Sequence, residues 1–217
     1  MLPRQVGVVL TEPFRVITVC TGNICRSPAL EQVLRSQWGE FGIEFSSAGT
    51  GALEGEPMPE QAQQLSRNLG GDPEGHRGRQ VSKQIIEEAD LVIALAREHR
   101  REIARAVPRA SRYTFTLREL ARVLESVVDD EKARLPEPSS TGLADTLRAF
   151  VPVVAGHRGY AEQPADPKDD DVVDPFHRSQ EVYDRAQEEI GDSTDRIHAA
   201  IEQLRMRYGS APVTVDP

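Results

Sequence analysis

Four short runs of apolar, mostly β-branched residues punctuate the chain. Stretches with apolar positions every three or four residues lie between them. Residues 14–20, FRVITVC, read as a strand. From Pro28 the period changes: Leu30, Val33, Leu34 and Trp38 share one helical face, and Pro28 suits a first turn. FSSAG (45–49) predicts a second strand running into a loop. Met58, Ala62, Leu65 and Leu69 form the next helical stripe, ended by Gly70 and Gly71. ADLVIALA (89–96) is almost continuously apolar, as expected for a strand covered on both faces. A helix from Glu98 to Ala106 should stop before Pro108, RYTF (112–115) gives a fourth strand, and LRELARVLESV (117–127) a further helix. Val182, Tyr183, Ala186 and Ile190 make one stripe. Asp192 or Ser193 should then cap a last helix carrying Ile197, Ala200, Ile201, Leu204 and Tyr208. Strands alternating with helices predict an α/β fold: a four-stranded parallel sheet with helices on both faces.

Residues 129–171 break this rhythm. They hold RLPEPSS, EQPADPKDDD and one apolar island, LADTLRAFVPVVAG. Structureless stretches of this length are unusual inside compact domains, so the segment reads as an insertion with mobile ends and one short helix near 143–150, mostly inert or structural, the alternatives being that it covers the mouth of a site or recruits a partner. Residues 1–13 read as an N-terminal extension, and 14–217 as a single domain carrying the insertion.

Composition narrows the function. The chain has 217 residues, 38% hydrophobic and 28% charged, with a formal net charge of −9, which argues against a broad nucleic-acid-binding surface. Two cysteines are too few for a disulfide scaffold, and a lone C-x4-C pair is a poor zinc site, so no metal or cofactor is expected. The apolar patch Val6–Leu10 is too short for a membrane span and lacks the form of a signal peptide. These features predict a cytoplasmic protein.

The chemistry concentrates at CTGNICRS, residues 20–27. Cys20 ends the first strand and a helix starts near Ser27 or Pro28. In α/β sheets ligands bind beyond the carboxyl ends of strands. The intervening loop can curl into a nest of backbone N–H groups with a helix N-terminus aimed into it, which is an anion site. Gly22 and Asn23 tolerate the backbone angles such a curl demands. Arg26 returns to the ring with two parallel donors for a tetrahedral oxyanion. A thiol placed at a helix N-terminus beside arginine ionises readily, and Ser27 can donate a hydrogen bond to the thiolate. The ATP-binding pattern G-x-x-x-x-G-K-[ST] is absent from the sequence.

VCTGNICRSPALEQVL resembles the signature of the low-molecular-weight protein-tyrosine phosphatases. The resemblance continues through SSAGTGALEGEPMPEQA, GHRGRQV, ADLVIALAREHRREI and DPFHRSQEVYDRA, covering roughly 14–127 and 172–208, and is closer to the bacterial branch. Members of that branch often oppose tyrosine kinases in polysaccharide export. The resemblance implies that Cys20 is the nucleophile and that Arg26 holds the phosphate and the transition state. Backbone N–H groups of Thr21, Gly22, Asn23, Ile24, Cys25 and Arg26 would line the cradle. Ser27 would support the thiolate, Asn23 would brace the loop with help from Ser47 and His76, and Asp174 would be the general acid. Chemistry supports that last role independently, because a leaving phenolate needs a proton and a carboxylic acid beyond the sheet can deliver it.

Two features depart from the family pattern. Phe176 and His177 follow Asp174-Pro175 where a tyrosine is common. Phe176 can wall a slot for a phenyl ring, while His177 either contacts substrate or faces water. TGALEG (50–55) carries no aromatic residue, which predicts an open, less selective mouth. Cys25 is either structural or the partner of Cys20 in a reversible, protective disulfide. Asp169, Asp170 and Asp171 read as solvated charges, His99, His157 and His198 as surface residues, and Met58 and Trp38 as core. The expected activity is hydrolysis of protein phosphotyrosine through a cysteinyl-phosphate, with a bacterial tyrosine kinase as partner and neither nucleic acid nor membrane involved. The alternatives are arsenate reduction with an external thiol, and a phosphotyrosine-binding or phosphocysteine carrier module, which needs no general acid.

Overall fold

A computed structural model describes residues 12–137 and 142–207. The expectations for residues 1–11 and for Tyr208 lie outside them. Four parallel strands, β1 (Phe14–Cys20), β2 (Ile43–Gly49), β3 (Leu91–Ala94) and β4 (Thr114–Thr116), form one sheet in the order β2-β1-β3-β4. The helices are α1 (Arg26–Trp38), α2 (Glu60–Asn68), α3 (Lys83–Glu88), α4 (Arg97–Ala106), α5 (Leu117–Asp129), α6 (Leu143–Gly156) and α7 (Gln180–Arg207).

The sheet is buried on both faces, and the alternation along β1 shows how. Val16 and Cys20 point into the larger core with Leu30, Leu34, Phe115 and Ile190, built by α1, α5 and α7. Ile17 and Val19 point the other way, onto Ile86 of α3 and Ile103 of α4. Helices therefore cover both faces, as the alternation of elements predicts. Local signals fix several boundaries. Thr116 and Glu119 form a reciprocal capping box at the start of α5, at 3.2 and 3.1 Å. The Ser82 hydroxyl accepts from Ile85 N at 3.2 Å and starts α3, a six-residue helix without a readable stripe.

Three expectations need correction. β4 starts at Thr114, because residues 108–112 form a 3-10 turn. The two stripes after residue 180 belong to one continuous helix. Neither Asp192 nor Ser193 caps a new helix; the Ser193 and Thr194 hydroxyls donate back to Glu189 O at 2.7 Å and Ile190 O at 3.0 Å. The expected short helix near 143–150 runs to Gly156 through Pro152. Its Ala144 and Val154 join the larger core, and Arg148 holds Asp90 through Nε and Nη2 at 3.0 and 3.2 Å. Beyond it, Arg158 covers the outer edge of β4 by donating to Thr114 O and Ser111 O.

The acidic run before Asp174 is also more ordered than expected. Asp170 is buried against Arg122, and Asp171 accepts from Arg97 N at 2.7 Å and from its guanidinium at 3.0 Å. Only Asp169 of the three is exposed. Among the described residues no helix is long and apolar enough to cross a membrane.

Candidate active site

β1 delivers Cys20 to the carboxyl edge of the sheet, and α1 begins six residues later. Thr18 Oγ1 donates to Ser27 O at 2.8 Å, tying the first turn of α1 to the strand below. The loop between them turns at Asn23, which has φ 55° and no exposed surface. Every polar group of Asn23 side chain and carbonyl is used. Its Nδ2 donates to Ser27 Oγ at 3.0 Å, its Oδ1 accepts from Arg79 N at 2.9 Å, and its carbonyl accepts from His76 Nε2 at 2.7 Å. Ser27 Oγ lies 3.0 Å from Cys20 Sγ. That oxygen already accepts from Asn23, which leaves its own hydrogen for the sulfur or, at the longer 3.4 Å, for Ala48 O. Asn23 thus fixes the hydroxyl that lies against the Cys20 sulfur.

Ser47 behaves differently from the expected brace. It is buried, but its Oγ has no partner among the described residues; its carbonyl instead accepts from Arg79 Nε at 2.6 Å. Arg79, which sequence reading passed over, therefore ties Asn23 to β2. Its only signal is its place in the GHRGRQV block.

The segment 50–55 is stitched along the cradle by three backbone bonds: Thr50 N to Cys20 O, Gly51 N to Thr21 O and Leu53 N to Gly22 O, at 2.9, 3.0 and 3.0 Å. This approach needs glycine at 49, where a Cβ would fall 2.3 Å from Thr21 O. The segment lacks an aromatic residue, as read from sequence, but it places Leu53 on the pocket wall.

Arg26 is 4% exposed. Its Nη1 donates to Val172 O at 3.1 Å and its Nη2 pairs with Asp174 Oδ2 at 2.7 Å. The segment carrying Asp174 is pinned at its root: Val172 N donates to Leu95 O at 2.8 Å and Val173 N to Glu189 Oε2 at 2.8 Å. Asp174 itself keeps 53% of its side chain exposed, and its Oδ1 accepts from Phe176 N at 3.2 Å. A pocket of about 160 Å³ opens between the two segments. Cys20, Arg26 and Asp174 face it, with Ile24, Leu53 and Phe176 as apolar walls. His177, at φ 57°, is exposed with its ring 3.8 Å from that of Phe176, and it does not line the pocket.

Cys25 and Cys20 are both free thiols. Cys25 is buried with Sγ 3.9 Å from Tyr183 Oη. Burial pushes its thiol up to about 12, so it stays protonated at neutral pH. His99 is a correction: far from being on the surface, it is buried, with Nε2 2.9 Å from Thr21 Oγ1. His157 is half-buried beside Asp130, whereas His198 is exposed and stacks on Trp38. Met58 is core; Trp38 is half-buried against it.

A thiol on a tight loop ahead of a helix, with an arginine and a carboxylate lining the same pocket, defines a thiol-centred site on a parallel α/β sheet. Residues 15–155 match the model of the low molecular weight phosphotyrosine protein phosphatases, and the chain belongs to that family. It is 36% identical over 93 residues to the low molecular weight protein-tyrosine-phosphatase Etp of Escherichia coli K12, covering 43% of this chain and 62% of Etp. With the low molecular weight protein-tyrosine-phosphatase of Streptomyces coelicolor it is 30% identical over 195 residues, 88% of this chain and 94% of that protein. The YwlE arginine phosphatase from Geobacillus stearothermophilus superposes with a TM-score of 0.63 at 25% identity, over 92% of this chain and 100% of that one.

Proposed function

We propose that this protein is a protein-tyrosine phosphatase working through a cysteinyl-phosphate, without metal or cofactor. The observation that carries the reading is the convergence of Cys20, Arg26 and Asp174 on one narrow pocket. The phosphoryl group enters the N–H cradle, Arg26 Nη2 exchanges Asp174 for a phosphoryl oxygen, and the proton given up by the Cys20 thiol passes through solvent to the released Asp174 carboxylate. Cys20 Sγ attacks phosphorus as the ester P–O bond breaks, and Asp174 gives its proton to the leaving phenolic oxygen. Asp174 then takes a proton from the water that attacks phosphorus, the P–S bond breaks, and inorganic phosphate leaves.

The pocket walls favour an aromatic leaving group. Ile24, Leu53 and Phe176 offer apolar contact to a phenyl ring, and Asp174 is the one carboxylate in the lining. A guanidinium would lack polar partners along those walls. The likeness to an arginine phosphatase nonetheless makes phosphoarginine the second reading. Arsenate reduction would need an outside thiol, since Cys20 and Cys25 are the chain's only cysteines and Cys25 is held protonated. A binding or carrier module would have no use for Asp174 at the pocket. We read residues 14–217 as one domain, acting in the cytoplasm on phosphotyrosine proteins, among them a bacterial tyrosine kinase.

The test is hydrolysis of para-nitrophenyl phosphate, a phosphotyrosine peptide and a phosphoarginine peptide by wild type and Cys20→Ser. Turnover of the first two, abolished by Cys20→Ser, is expected. Preference for phosphoarginine would transfer the reading to that substrate, and inactivity of folded, reduced wild type on all three would overturn it.

A further inference from the structure

His99 is the one fully buried histidine of the five, at 1% exposure, and the mechanism above leaves it without a task. It sits in the first turn of α4, beneath the catalytic loop rather than in it. Its Nε2 lies 2.9 Å from Thr21 Oγ1, and its Nδ1 has no hydrogen-bond partner among the described residues. The charged groups facing it are Arg26, Asp171 and Glu98, the last with Oε1 3.6 Å from Nε2. Burial first, then Arg26, pushes the ring's pKa down to about 4, so the imidazole is neutral at physiological pH.

A neutral ring carries one hydrogen, and two observations place it on Nε2. A stranded N–H at buried Nδ1 would cost more than a bare lone pair there, and the Glu98 carboxylate favours a hydrogen on the nitrogen it faces. Nε2 then donates and Thr21 Oγ1 accepts, so the hydroxyl's own hydrogen is free for another acceptor. Thr21 follows the nucleophile and lines the pocket.

We propose that His99 is a positioning residue: by donating to Thr21 Oγ1 it turns the Thr21 hydroxyl hydrogen toward the pocket, as one more donor to the bound phosphoryl group. The inference rests on the phosphatase reading for its catalytic meaning and on the anion cradle for its binding meaning.

The test is a cycle of Thr21→Val, His99→Leu and the double variant, with His99→Gln beside it. Affinity for inorganic phosphate is measured by calorimetry, and kcat and KM on para-nitrophenyl phosphate. Each single variant should weaken phosphate binding and lower kcat/KM about tenfold. The double variant should be no worse than either single one. His99→Gln, whose amide nitrogen reaches the Nε2 position, should retain most of the wild-type values. Additive losses would overturn the proposal, as would a His99→Leu protein that loses only thermal stability. If His99→Leu does not fold, Thr21→Val decides: phosphate affinity equal to wild type refutes the donor role. Calorimetry needs no turnover. A protein that binds phosphate with this pattern yet hydrolyses nothing refutes the phosphatase reading and keeps this one. An active wild type with additive losses does the reverse, and a wild type that binds no phosphate removes both.

Discussion

The two segments that face each other across the pocket are held in opposite ways. The cradle, residues 20–27, is buried except at Thr21 and Gly22 and is braced from behind by hydrogen bonds of 2.7, 2.9 and 3.0 Å that converge on Asn23. The acid segment, residues 170–176, is fastened at its root by charges: Asp170 to Arg122, Asp171 to Arg97, and Val173 N to Glu189. Its tip is exposed. Under the proposed mechanism the site receives charge on one side and delivers a proton from the other, which calls for a fixed anion geometry but an accessible acid. The difference in anchoring meets both needs.

Substitutions in the cradle should therefore cost both activity and stability, and substitutions in the acid segment activity alone. Arg26→Lys should show the largest effect. It keeps the charge but loses the planar pair of donors, and kcat/KM should fall about 10³-fold. Asp174→Asn should slow phenyl phosphate about 100-fold while leaving substrates with good leaving groups nearly unchanged, with the melting temperature within a degree or two. Equal slowing of both substrates would remove Asp174 as the acid. Asn23→Ala should lower kcat about tenfold and stability by roughly 2 kcal/mol, because it strands buried donors and forces alanine into positive φ. If denaturant melts show no loss, the contrast between the segments fails on the cradle side. Arg97→Ala should reduce turnover only a few-fold, with the loss confined to poor leaving groups, since it loosens the acid's anchor without touching the cradle.

Legibility followed sequence distance. CTGNICRS could be read because nucleophile, curl, arginine and helix start lie within eight residues, and the strands because their apolar runs are continuous. His99, Asp171 and Arg79 could not. Their partners are 78, 74 and 56 positions away, and each looks locally like an ordinary surface charge or polar residue. Asp192-Ser193 misled in the other direction. The pair has the composition of a cap, but the Ser193 hydroxyl can turn back to Glu189 O and let the helix run on. The helix at 143–156 exceeded its expected end because packing of Val154 outweighed the breaking tendency of Pro152.

Buried His99 adds a pH signature on the cradle side. Its folded pKa, about 4, lies below the usual 6.5, so the neutral ring contributes stability that is complete above pH 6.5. That contribution is lost as pH falls through about 4. Wild type should therefore lose thermal stability across this window, and His99→Gln should lose less. Parallel curves would mean that the ring does not remain neutral in the folded protein.

Under the proposed function, the 2.7 Å pair between Arg26 and Asp174 makes the protein its own competitor. Asp174 is tethered beside the edge of Arg26 that a phosphoryl group needs, and no dilution removes it. Measured affinity for phosphate is then lower than the cradle's intrinsic affinity by the fraction of time the pair is open. The same tether helps to evict the product, since the carboxylate returns to Arg26 as phosphate leaves. Deleting the carboxylate should produce a protein that turns over poorly and holds phosphate more tightly, a natural trap for its own substrates.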